Sequence, residues 1–279
     1  MMRITMRTGF RLIAIALIAS IPGCGRKEPA PKLDFVLYGD CRHEDSVHRS
    51  ICAAMLRSSP AYVLNTGDLV DEPELKSDWD GFRKITKELR SKAAYYPVAG
   101  DHDLAPDRPF EKEFGLDKLY YDKVIGDIHY LFLDSTRFED PAQMAWFEER
   151  AAASKSLHKI AVFHRPPFSI DPGRGVGDAV KIRAQIHDRL VKLKFCAAFC
   201  GHNHTFYVTA RDGVRYAITG GGGAPLWKID GNLAQKGDLW RKFYHYIGCR
   251  TVGKKITAQV FDEDGVEAKD LAFTVCEHP

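Results

Sequence analysis

The sequence predicts a single α/β domain built on a mixed sheet system, and three observations carry that expectation. A chain of 279 residues with 45% hydrophobic content can bury one large core. Short apolar runs alternate with helical patterns from residue 34 to about residue 200. Beyond residue 204 the pattern changes to strand and turn.

Residues 35–38, 61–64, 95–98, 130–133, 160–163 and 195–199 read as buried strands, because they are apolar without alternation. Helices fall between them. Val47, Ile51 and Met55 repeat at four-residue spacing, as do Ile182, Ile186 and Leu190, and Trp79, Phe82, Ile85 and Leu89 form a third stripe. Asp140-Pro141 opens a fourth helix, with Asp as N-cap and Pro in the first turn. Later strands are expected at 207–210, 216–219, 244–249, 256–261 and near 271–275, with glycines at 220–223 in a loop and Asp262-Glu263-Asp264-Gly265 as a turn. The domain is expected to span residues 34–279.

Residues 1–23 have the form of an export signal. Arg3, Arg7 and Arg11 precede an apolar run, Leu12 to Ile21, far shorter than the roughly 20 residues a membrane-spanning helix needs. Ile21-Pro22-Gly23-Cys24 resembles the lipobox of bacterial lipoproteins. Lipid on Cys24, a polar tether at 24–33 and a place in the bacterial cell envelope are the corresponding expectations. Of the 40 Lys and Arg residues, three lie in that signal, which leaves 37 against 37 Asp and Glu. A neutral mature chain offers no electrostatic case for general nucleic-acid binding. Six cysteines follow Cys24, an even number that permits disulfides in an exported chain without selecting a pairing. Cys196 and Cys200 would sit about 13 Å apart on one strand and cannot pair with each other. Buried free thiols are the expectation for most.

Five of the expected strands run into metal-ligand residue types. The loops begin Gly39-Asp40, Thr66-Gly67-Asp68, Gly100-Asp101-His102-Asp103, His164-Arg165-Pro166-Pro167 and Gly201-His202-Asn203-His204. Ligands of open α/β sheets bind beyond the carboxyl ends of strands, so these loops can converge on one crevice. A glycine before each Asp would let the backbone turn where a side chain would obstruct it. Gathered carboxylates repel unless cations neutralise them. Mixed oxygen and imidazole donors suit Mn, Fe or Zn better than Mg or Ca.

These blocks, together with Leu69-Val70-Asp71 after Asp68 and Thr219-Gly220-Gly221-Gly222-Gly223-Ala224-Pro225, resemble the ordered motifs of calcineurin-like metallophosphoesterases, nearest the purple-acid-phosphatase-like branch. The resemblance implies a two-sheet β-sandwich flanked by helices, with its metal site at the C-terminal ends of the strands. It implies hydrolysis of a phosphate ester by a metal-bound hydroxide, with two divalent ions about 3.5–4 Å apart. Asp68 would bridge them, Asp40 and His204 would serve the first, and Asp101, His164 and His202 the second. His102 is the expected donor to the leaving oxygen, and Asp71 matches the acid that orients it.

Two positions depart from the family pattern. Arg42 stands where the family has His, and Asp101 where it has Asn. The changes offset in charge, but Arg cannot ligate a metal. Arg42 could contact the substrate phosphate, or pair with Asp101 or Asp68 and leave one metal, or yield its place to His43 or water. The expectation is two metals, the first held more weakly. Alternatively, the chain is a catalytically impaired lipoprotein that binds metal or phosphate. His48, His129, His158, His187 and His278 follow no ligand spacing and are assigned to packing or surface, while His245 stays open. Trp227 could line a substrate pocket or simply pack. A monomer is expected, and the ester remains unspecified.

Overall fold

The computed structural model describes residues 31–278. The signal, Cys24 and most of the tether lie outside the described residues. In chain order the strands are β1 Phe35–Tyr38, β2 Tyr62–Asn65, β3 Ala94–Pro97, β4 Tyr121–Ile125, β5 Ile128–Phe132, β6 His158–Val162 and β7 Ala197–Cys200. They continue as β8 Phe206–Arg211, β9 Val214–Thr219, β10 Leu239–Arg241, β11 His245–Val252, β12 Lys255–Asp262 and β13 Phe273–Glu277. The helices are α1 Asp45–Arg57, α2 Lys76–Lys92, α3 Pro109–Phe114, α4 Pro141–Ala153 and α5 Arg174–Lys192.

Two sheets result, one of six strands in the order β13-β12-β11-β1-β2-β3 and one of seven in the order β10-β8-β9-β7-β6-β5-β4. Within the first, β1, β2 and β3 are parallel; within the second, β5, β6, β7 and β9 are parallel. Strand β1 explains how one apolar run serves two layers. Successive side chains point to opposite faces. Phe35 and Leu37 enter the core between the sheets, while Val36 and Tyr38 join the layer beneath α1 and α2. The inter-sheet core closes on Tyr130, Phe132, Ile160, Val162 and Phe199 of the second sheet, and the hydroxyls of Tyr62 and Tyr130 meet across it at 2.9 Å. Helices α4 and α5 cover the outer face of the second sheet through Phe147, Ile182, Ile186 and Leu190.

The expected N-cap is present: the Asp140 carboxylate accepts the Ala142 N–H at 2.9 Å ahead of Pro141. Three elements were not read from the sequence. They are the half-exposed β4, the three-residue edge strand β10 and the short α3. Cys196, just ahead of β7, is bonded to Cys276 of β13, so a disulfide joins the two sheets. Cys41, Cys52, Cys200 and Cys249 are buried free thiols. No helix among the described residues is long and apolar enough to cross a membrane.

Candidate metal centre

The parallel strands of both sheets present their carboxyl ends at one end of the sandwich. Asp40, Asp68 and Asp101 follow β1, β2 and β3 of the first sheet, while His164 follows β6 and His202 and His204 follow β7 of the second. One sheet therefore supplies the acids and the other the imidazoles. The donor atoms form two groups, Asp40–Asp68–His204 and Asp101–His164–His202, each with its atoms within 4.8 Å of one another. All six expected ligands are thus brought together.

The backbone is bent at the ligands themselves. Asp40 (φ 55°), Asp68 (φ 56°) and His202 (φ 68°) occupy the left-handed region, a conformation that side-chain-bearing residues hold only when the surroundings impose it. A side chain at the preceding glycines would obstruct, as expected, while the turn itself is made at the ligand residues. Gly39 and Gly100 do not take positive φ; they leave room. A Cβ on Gly100 would sit 2.1 Å from Asp68 Oδ1, and one on Gly39 would sit 2.0 Å from Thr66 Oγ1. Only Gly67 combines both demands, with φ 97° and backbone atoms of Gly100 within 3 Å of its would-be Cβ.

Asp103 fastens these loops together. Its buried carboxylate accepts the backbone N–H of Asp68 (2.9 Å), Leu69 (2.8 Å), Val70 (3.3 Å) and Gly100 (2.8 Å). Burial and the neighbouring Asp68 push its pKa up to about 7, although those N–H groups pull the other way.

Two histidines are fixed by carbonyls. His164 Nδ1 donates to Thr66 O and His204 Nδ1 to Pro225 O, both at 2.8 Å, which turns each Nε2 toward the centre. Such outer contacts set tautomer and ring orientation at metal sites. Asp101 Oδ1 lies 3.1 Å from His164 Nε2 and 3.2 Å from His202 Nδ1. It makes no hydrogen bond of acceptable geometry, and neither does His204 Nε2. His202 Nδ1 also lies within hydrogen-bond distance of His164 Nε2, at 3.3 Å, so three donors from separate loops meet at one point, as ligands do. The Asp101–His164–His202 group therefore fits a divalent ion.

Electrostatics agree. Burial alone would discharge His164, but Asp68, Asp101 and Asp40 outweigh it and raise its pKa to about 10. Asp101 is half-buried, yet His164 and His202 hold it well below the usual carboxylate range. Burial pushes Asp40 well upward and lowers His204 to about 4, so His204 is neutral and able to ligate.

The first group contains a cation of its own. Arg42 Nε donates to Asp68 Oδ2 at 3.1 Å and Nη1 to Asp71 Oδ1 at 2.8 Å, with His43 Nε2 at 2.6 Å from Nη1. Of the readings left open for Arg42, the structure contains the pairing with Asp68. Asp71 is consequently turned toward Arg42. Its carboxylate is 3.6 Å from His102 Nδ1, whereas its backbone carbonyl accepts from that nitrogen at 3.2 Å.

A crevice of about 140 Å³ opens over the centre, lined by Arg42, Asp68, Asp101, His102, Arg165, Asp178, His202, His204 and Trp227. Trp227 packs on both histidines, its ring centroid 4.6 Å from His204 and 5.5 Å from His202. Arg165 and Asp178 were missed from the sequence. Arg165 follows a ligand histidine and places Nη2 3.5 Å from Asp101 Oδ2, and Asp178 Oδ2 lies 3.7 Å from His202 Nε2. The histidines assigned to packing stay away from this centre: His48 meets the Tyr38 hydroxyl, His187 bonds Tyr216 and Asp212, and His129 bonds Asp122. His245 is buried beneath the glycine loop, with Nδ1 donating to Phe243 O at 2.9 Å.

A two-sheet sandwich with acids from one sheet and histidines from the other defines a metallophosphoesterase-type centre. The family model for calcineurin-like phosphoesterases matches residues 35–206, and the chain belongs to that family. Among solved structures it is similar to a purple acid phosphatase from yellow lupin (Lupinus luteus) seeds, with TM-score 0.74 and 15% identity over 86% of this chain and 53% of that one. It therefore spans about half the length of the lupin protein. It is also similar to GAP50, the anchor in the inner membrane complex of Plasmodium, with TM-score 0.71 and 11% identity over 88% and 89% of the two chains. A dimetal phosphatase from Danio rerio aligns with TM-score 0.63 and 11% identity over 89% of this chain and 100% of that one. Curated protein sequences contain no significant match.

Proposed function

We propose that the chain is a metal-dependent phosphoric ester hydrolase, exported and held at the cell envelope by lipid on Cys24. The observation that carries the reading is the convergence of three carboxylates and three imidazoles on one crevice. A divalent ion bound there supplies Lewis-acid polarisation of the ester and an activated water. The rest falls to side chains of this chain. Arg42 and Arg165 flank the crevice and bring positive charge to a phosphoryl group, for which a planar guanidinium is suited. The Nε of Arg165 is buried and has no hydrogen-bond partner among the described residues. His102, with Nδ1 held by the Asp71 carbonyl, has Nε2 left to protonate the departing oxygen. The crevice is small enough for a phosphoryl group and little else, so the leaving group would extend outward. Export is supported by the signal-like residues 1–23 and by a disulfide suited to an oxidising compartment.

The Arg42–Asp68 contact favours a second reading, a catalytically impaired lipoprotein that binds metal or phosphate. Hydrolysis of p-nitrophenyl phosphate and bis-p-nitrophenyl phosphate, after loading with Mn, Fe or Zn, separates the two. Turnover lost in Asp68→Ala and reduced in His102→Ala by about 10²–10⁴, more for an alkyl phosphate than for a nitrophenyl one, supports the enzyme. Bound metal without turnover of either ester supports the binding protein.

A further inference from the structure

The two donor groups of the centre differ in what already occupies them. In the Asp101–His164–His202 group, Asp101 Oδ1 faces only imidazoles, at 3.1 and 3.2 Å, whose protons an incoming ion can displace; Arg165 faces the other oxygen, at 3.5 Å. Asp68 Oδ1 lies 3.3 Å from His164 Nε2, on that same side. In the Asp40–Asp68–His204 group, by contrast, Asp68 Oδ2 accepts Arg42 Nε. The guanidinium is not a loose surface group. Its side chain is 9% exposed and is gripped by Asp68 and Asp71 together. It is also permanently charged. An ion in this group would have to share Asp68 Oδ2 with a fixed positive charge, with only Asp40 and His204 beside it. The exchange of His for Arg and of Asn for Asp leaves the net charge of the centre unchanged, so placement decides.

We propose that the centre is mononuclear: one divalent ion held by Asp101, His164, His202 and Asp68, beside the Arg42 guanidinium, which stands as a fixed cation in place of a second ion. The inference rests on the hydrolase reading above and narrows it. Asp40 then serves as a positioning residue, since both its oxygens accept the His202 backbone N–H, at 3.0 and 2.9 Å.

The test counts metal rather than turnover. The full-length chain is stripped with chelator and reloaded with Mn²⁺, excess ion is removed, and Mn per chain is measured by mass spectrometry and by electron paramagnetic resonance. One Mn per chain with an isolated-ion spectrum, lost in His202→Ala and kept in His204→Ala, is expected. Arg42→His should raise the count to two and give an exchange-coupled spectrum. Two ions in the wild type, one of them lost in His204→Ala, would overturn the proposal. The wild-type and His204→Ala counts decide the matter even if Arg42→His fails to fold. A wild type that retains no ion after loading with Mn, Fe or Zn would overturn the proposal and the hydrolase reading together. One Mn without ester turnover would support the mononuclear centre and remove only the hydrolase reading.

Discussion

Replacing both Cys196 and Cys276 by alanine removes a link between the two sheets whose ends lie 80 residues apart in sequence. In the chain-entropy account, a closed loop of that length lowers the entropy of the unfolded chain by about 15 cal/mol/K, or about 4.5 kcal/mol at 25 °C. A domain has only about 5–15 kcal/mol of stability in total, so the variant should lose about a third or more of it. Urea unfolding with linear extrapolation should report a lower midpoint and a steeper slope, because the unlinked unfolded chain exposes more surface. Reductant added to the wild type should reproduce the shift. The bond sits ahead of β7, about 13 Å along the strand from the end that leads to His202. Ester hydrolysis by the folded variant should therefore be unchanged. A loss below about 1 kcal/mol would refute the entropic reasoning. Alkylation of Cys196 or Cys276 in unfolded, unreduced protein would refute the link itself; of the described cysteines, only Cys41, Cys52, Cys200 and Cys249 should react.

Other expectations concern the loops and the protons. Asp103→Ala leaves four buried backbone N–H groups without their acceptor. It should destabilise the fold by about 3–5 kcal/mol, seen as a melting point lower by about 10 °C, together with weaker metal binding. Burial lowers the pKa of His48 to about 3, below its ordinary value of 6.5. The unfolded state thus binds more protons between those values, so stability is complete above pH 6.5 and declines as the pH falls toward 3. His48→Leu should flatten that part of a urea-midpoint profile against pH. His164 is protonated at neutral pH without metal, because its pKa is near 10. Metal binding at pH 7 should release about one proton from it, and affinity should rise about tenfold per pH unit until the pH approaches 10. Calorimetry in buffers of different ionisation enthalpy measures the release; its absence would contradict the charged state of His164.

The ligand set was legible in the sequence because buried strands read as apolar runs, and each relevant run stops at an Asp or His. Boundaries shifted by one to three residues, since Tyr95 and Ala61 are as apolar as their neighbours and only backbone pairing decides where a ladder ends. Strand β4 was invisible because Tyr-Asp-Lys-Val-Ile is half exposed, and β10 because three edge residues carry no period. The partner of Cys196 lies 80 residues away on the other sheet, and no local signal links such positions. Arg42 was legible as an anomaly and Asp68 as one of its candidate partners, but not the choice among them, because two carboxylates and a histidine compete for one guanidinium and only packing selects. Asp178 sits in α5, away from any strand end, where nothing in its neighbourhood marks it.

The division of acids and imidazoles between the two sheets has a consequence for assembly. Neither sheet alone carries a complete chelating set, so an ion can be captured only after the halves of the sandwich have docked in register. Bound metal then acts as a clasp across the seam. At a free concentration a hundred times its dissociation constant, it would stabilise the whole domain by about 2.7 kcal/mol. Slow addition of a chelator should lower the melting temperature of both sheets in step, and substitutions that let one sheet slide against the other should surface first as metal loss, well before either sheet unravels.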